Sequence, residues 1–174
     1  KFSQSLPIIL DTSSLGNQFE YSVYHTLSED VIGSVKFLAK TVNGLEGEDT
    51  RLSSRLFIPA NRLRGFNTRK VGPKDGENYV GGNYVSTLSI EAQLPNLLPE
   101  SSRIDISAFM DSGNVWHVDY NSAIDETNKI RTAVGLAANV WTPVGPLSFV
   151  LAQDVAKSLN DETQAFNFRI GTSF

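Results

Sequence analysis

The feature that most constrains this chain is a two-residue rhythm of apolar and polar side chains that recurs along most of its length. From Asn17 to Ser28, Phe19, Tyr21, Val23 and Leu27 alternate with Gln18, Glu20, Ser22 and Thr26. Successive side chains of an extended strand point to opposite faces, so the rhythm describes a strand with one greasy and one polar face. Val31 to Val42 repeats it less cleanly, because Ile32 and Leu38 share a face with Lys36 and Lys40. Asn83 to Leu94 sets Leu88, Ile90 and Ala92 against Thr87, Ser89, Glu91 and Gln93. Arg103 to Trp116 sets Ile104, Ile106, Ala108 and Met110 against Asp105, Ser107 and Asp111. Ile130 to Val140 places Val134, Leu136 and Ala138 opposite Arg131, Gly135 and Asn139. Leu147, Phe149 and Leu151 alternate in a further segment, and Phe166, Phe168, Ile170 and Phe174 alternate with Asn167, Arg169, Gly171 and Ser173 in the last. With a proline-containing partial strand near Phe2 to Leu10, this predicts about eight strands.

Such strands suit a membrane better than the bulk numbers suggest. No run approaches the ~18 apolar residues of a spanning helix, and the mean hydropathy of -0.16 and net charge of -4 match many water-soluble chains. A barrel with lipid-facing and lumen-facing residues in alternation averages to the same values. The connections also sort by length. Ser28 to Asp30, Pro95 to Ser102 and Thr142 to Pro146 are short; Asp11 to Gly16, Asn43 to Gly82, His117 to Lys129 and Ala156 to Thr163 are mostly longer. Short turns at one end and long loops at the other are the habit of outer-membrane barrels. The expected fold is therefore all-β, an antiparallel transmembrane barrel with a greasy outer wall and a polar inner wall.

Several chemistries are disfavoured. There are no cysteines, which removes disulfides, thiolate metal sites and thiol nucleophiles. No basic cluster is present to neutralise phosphates, so nucleic acid is not an expected partner. His25 and His117 lack companions at metal-ligand spacing, and no metal or other cofactor is expected. The stretch Gly44-Leu45-Glu46-Gly47-Glu48-Asp49 lacks regular calcium-ligand spacing and reads as a solvated loop. No Gly-x-Ser-x-Gly elbow occurs. Trp116 and Trp141 end strands, where interfacial aromatic girdles are expected, with buried packing the alternative.

The connection from Asn43 to Gly82 far exceeds the ~12 to 15 residues at which an unstructured loop becomes unusual. It contains Leu63-Arg64-Gly65-Phe66, then Val71-Gly72-Pro73, and ends in Val80-Gly81-Gly82-Asn83. This string resembles the BamA family, whose hallmark is an apolar-Arg-Gly-Phe tetrad on a long loop folded back into the barrel lumen. The resemblance continues in order. Phe109-Met110-Asp111-Ser112-Gly113-Asn114-Val115-Trp116, Trp141-Thr142-Pro143-Val144-Gly145-Pro146-Leu147 and the closing Phe166 to Phe174 each match a family segment. The match is best from about Arg62 onward.

The resemblance implies that Arg64 is held by the acidic residues Glu91 and Asp111, both on the polar faces of their strands. An always-charged guanidinium in a lumen requires carboxylate partners. Gly65 lets the backbone turn, and Phe66 is placed to pack on the barrel wall. Read instead as a general acid and base, Glu91 and Asp111 would both be kept ionised by that arginine, so an enzyme is not expected. The implied function is folding and insertion of other outer-membrane barrels through a lateral seam. Client strands would add to its exposed edge, and the terminal strand with Phe166, Phe168, Ile170 and Phe174 would form one side.

A barrel of that type has roughly 16 strands. The chain is thus expected to be the C-terminal half of one barrel domain, with the first seam strand and the periplasmic POTRA domains lying upstream of Lys1. Expected partners are unfolded client proteins, assembly lipoproteins and outer-membrane lipid. The rival readings are a two-partner secretion or autotransporter-assembly pore of the same superfamily, a passive porin, and a soluble β-domain.

Overall fold

A computed structural model describes residues 1–5, 14–94, 97–99, 102–143 and 145–170. The described residues form β1 (Phe2–Ser5), β2 (Ser14–Ser28), β3 (Val31–Gly44), β4 (Lys74–Asp75), β5 (Asn78–Tyr79), β6 (Tyr84–Gln93), β7 (Ile104–Trp116), β8 (Arg131–Thr142), β9 (Gly145–Ala156) and β10 (Phe166–Ile170). Eight of these make one sheet in the order β1-β2-β3-β6-β7-β8-β9-β10, and β4 with β5 forms a separate small hairpin. Every pairing in the large sheet is antiparallel. Neighbours in sequence are therefore neighbours in space, as expected when short turns and long loops connect antiparallel strands. Among the described residues, β1 and β10 are the two edges and the sheet does not close on itself.

Each strand of the sheet coincides with a segment of alternating sequence. Of the partial strand near Phe2 to Leu10, only Phe2–Ser5 is described, and Phe174 of the terminal segment also lies outside the described residues. The greasy face is outward. Phe19 and Tyr21 on β2, Ile90 on β6, Leu136 on β8 and Phe168 on β10 are all exposed. Burying that face in lipid is worth roughly 1.5 to 3 kcal/mol per large side chain.

The inner wall departs from the expectation of a polar surface. Val85, Val115 and Ala133 lie on it almost fully buried and form one cluster with Ile58, Leu63, Phe66 and Val71 of the long connection. Leu38, Phe109, Ala137 and Val150 are buried as well. The physical reason is that the connection between β3 and β6 folds back onto the sheet. It brings its own apolar side chains, and the wall supplies a matching patch. Polar residues remain beside this patch, with Glu91 and Asp111 among them at the loop seat.

Candidate functional site

The loop seat is built by three consecutive strands. Glu91 on β6 pairs in register with Phe109 on β7, which in turn faces Gly135 on β8. Two residues along β7, on the same face, is Asp111, whose side chain is fully buried. The loop tip descends onto this square through Gly65, which has a φ of +89°. A β-carbon there would sit 2.9 Å from Cβ of Ala152 and 3.0 Å from Cβ of Ala133. Only glycine allows both that backbone conformation and that approach.

Arg64 meets the square from above. Its Nε lies 2.8 Å and its Nη2 3.0 Å from the two carboxylate oxygens of Asp111. Its own backbone N–H donates to the same carboxylate at 3.0 Å. Nη1 is 3.1 Å from a carboxylate oxygen of Glu91, and the guanidinium sits 3.7 Å from the centroid of the Phe109 ring. A planar fork of fixed donors suits this bidentate and stacked arrangement, which an ammonium would not reproduce. Leu63 and Phe66, on either side, are buried in the apolar cluster.

Other sequence-marked residues fall around the loop. The backbone N–H of Gly72 donates to Asp161 at 3.2 Å, and the neighbouring Pro73 is fully buried. Gly81 precedes Gly82, which forms an antiparallel bridge with Leu56 and so closes the loop at its base. Gly145 and Pro146 open β9, and the Thr142 hydroxyl donates to the Gly145 carbonyl at 2.6 Å. Phe166, Phe168 and Ile170 face outward on β10 and are exposed. Trp116 stacks edge-on to Tyr84 near the long-loop end. Trp141 departs from the girdle expectation. It continues the inner-facing rhythm of Ala137 and Asn139, and its indole N–H donates to Asp105 at 2.8 Å.

Sequence reasoning missed three further ionic ties. Arg62 pairs with Glu20 on β2. Arg131, with no exposed side chain, is 2.8 Å from the equally buried Asp161 and also pairs with Glu126. One guanidinium thus joins the connections after β7 and after β9. Asp161 accepts from Gly72, bringing in the long loop too. At the loop's base, Asp119 pairs with Arg55 and accepts from Asn83 Nδ2 at 2.9 Å and the Thr50 N–H at 2.6 Å. Burial alone would push the Asp119 carboxyl up, but those hydrogen bonds and the Arg55 charge outweigh it and hold the carboxyl well below the usual carboxylate range. Alternation had placed Glu20 and Arg131 on polar faces. Their partners lie in loops or on other strands, where no periodicity points. Among the described residues, no group of three or more His, Asp or Glu is arranged to hold a metal ion.

The model of the Omp85 superfamily domain matches residues 2–174. The chain belongs to the Omp85 superfamily. Among Omp85 relatives, it is 28% identical over 140 residues to the outer membrane protein assembly factor BamA of Neorickettsia risticii (strain Illinois), covering 78% of this chain and 19% of the relative. It is 30% identical over 139 residues to the BamA of Neisseria meningitidis serogroup B (strain ATCC BAA-335 / MC58), covering 64% of this chain and 17% of the relative. The crystal structure of BamA from Haemophilus ducreyi lacking POTRA domains 1-3 superposes with a TM-score of 0.81 at 23% identity, over 91% of this chain and 35% of that one. The chain thus spans about a fifth of the length of these curated relatives.

Proposed function

We propose that this chain is the C-terminal half of a barrel that folds and inserts other outer-membrane proteins, with β10 as one side of a lateral seam. The observation that carries the reading is the seating of Arg64 on Asp111 and Glu91, which fixes the long loop against the inner wall. A wall filled by its own loop is poorly suited to passive conductance. In this reading a client strand pairs with the edge of β10, since an open strand edge is a template for an incoming strand. No covalent chemistry is needed, because each client strand gains backbone hydrogen bonds as it adds. Client barrels and assembly lipoproteins are the partners this reading requires, and outer-membrane lipid its solvent.

The test is insertion of a radiolabelled client barrel into vesicles containing the full-length protein. Arg64→Ala is expected to slow insertion roughly ten-fold or more, since removing one partner strands a buried charge. A disulfide joining β10 to the first barrel strand is expected to block insertion reversibly. Insertion at the unaltered rate with that disulfide formed would rule out the seam.

A further inference from the structure

The long loop is bound to the terminal strand as well as to the wall. The Gly65 carbonyl accepts the Gln164 N–H at 2.9 Å, and Phe66 and Thr163 form an antiparallel bridge. The Asn67 N–H donates to the Glu162 carbonyl at 2.9 Å, and the Glu162 N–H donates to the Lys70 carbonyl at 3.0 Å. The loop tip is therefore paired, as a short extra strand, with the segment that leads into β10. Further along β10, on its inner face, Arg169 reaches back to donate to the Ala60 carbonyl at 3.1 Å. Its Nε also donates to Asn167 at 3.2 Å, and Asn167 donates to Gln164 at 3.0 Å. On its other side the tip holds β2 through Arg62 and Glu20.

We infer that the loop tip and β10 move as one body, with Arg169 as the positioning residue that ties the terminal strand to the seated loop. Among the described residues, β10 pairs with β9 through residues 166–170, and the Ala152 N–H donates to the Ala165 carbonyl at 2.8 Å just before them. The contacts to the loop add to this ladder from the inner side, holding the terminal strand by a second set of bonds. Seating Arg64 at Asp111 then sets where the terminal strand lies. Unseating it frees that strand to part from its neighbours. Coupling of this kind needs a contiguous chain of contacts between the two places, and here it runs Asp111, Arg64, Gly65, Gln164, Asn167, Arg169.

The inference deepens the seam reading, and the two can fail separately. Hydrogen exchange is followed by mass spectrometry on the full-length protein in lipid vesicles, with client insertion measured in parallel. Arg169→Ala is expected to speed exchange of residues 162–170 roughly ten-fold, the effect of losing one charge-assisted hydrogen bond, while β6 to β8 stay protected. Arg169→Lys keeps a charged donor and is expected to retain most of the protection. Arg64→Gln, which perturbs the loop at a distance, is expected to speed exchange in the same 162–170 segment. Unchanged exchange there in Arg169→Ala, or in an Arg64→Gln protein whose loop has loosened, overturns the coupling whatever insertion does. Faster exchange with unaltered insertion keeps the coupling and defeats the seam.

Discussion

The ring of Phe109 lies across the bare backbone of Gly135, its partner on the neighbouring strand, so closely that a β-carbon on Gly135 would sit 2.8 Å from the ring's Cζ. An aromatic laid over a strand glycine fills the space the missing side chain leaves. Here the covered ring is also the platform on which the Arg64 guanidinium rests.

Gly135→Ala is accordingly expected to do more than its size suggests. The added methyl would also meet the Leu151 carbonyl at 2.2 Å, and backbone cannot yield as a side-chain tip does. Overpacking of this kind costs about 1 to 3 kcal/mol. A lowered midpoint for loss of the heat-resistant folded band on cold gel electrophoresis, together with easier proteolysis of the long loop, checks it. A midpoint equal to the parent's contradicts the platform.

The two carboxylates that hold Arg64 are unequal. Asp111 takes two guanidinium nitrogens and a backbone N–H and is fully buried, whereas Glu91 makes one contact and is partly open, with 18% of its side chain exposed. Asp111→Asn is expected to cost about 3 to 5 kcal/mol, the range for stranding a buried partner. Glu91→Gln is expected to cost about 1 kcal/mol or less, being nearer the range of exposed pairs. Denaturant unfolding in detergent ranks them, and equal losses would argue against the asymmetry.

Acid should loosen the loop's base before the rest. The folded carboxyl of Asp119 titrates below its unfolded value. Its contribution is therefore fully present above the unfolded pKa of about 4 and is lost progressively as pH falls from there toward the lower folded value. Corrected for the intrinsic pH dependence of amide exchange, the protection of residues 48–56 is expected to fall progressively as pH drops below about 4 in the parent protein, and Asp119→Asn should flatten that dependence while lowering protection at neutral pH. Identical pH profiles for the two would remove Asp119 as the cause.

The strands were legible because one face meets lipid and the other does not, a condition that writes itself into every second residue. The seat for Arg64 was legible for a related reason. Alternation put Glu91 and Asp111 on one face, and family resemblance brought the arginine to them. The apolar patch of Val85, Val115 and Ala133 was not, because each sits at a polar-phase position and is explained only by Leu63 and Phe66 arriving from a distant loop. Arg131 was read as one more polar residue. Its partners Glu126 and Asp161 lie in irregular connections, where spacing carries no information about contact.

The stitching between the loop tip and the approach to β10 joins groups far apart in the chain, with Asn67 and Glu162 separated by 95 positions. Contacts between such remote segments carry a high loop-closure cost and are slow to form. Until residues 162–164 are in place, Phe66 lacks the bridge to Thr163 that completes its seat. This attachment of the tip can thus be made only once residues 162–164 have arrived, and it registers that the approach to β10 has been laid.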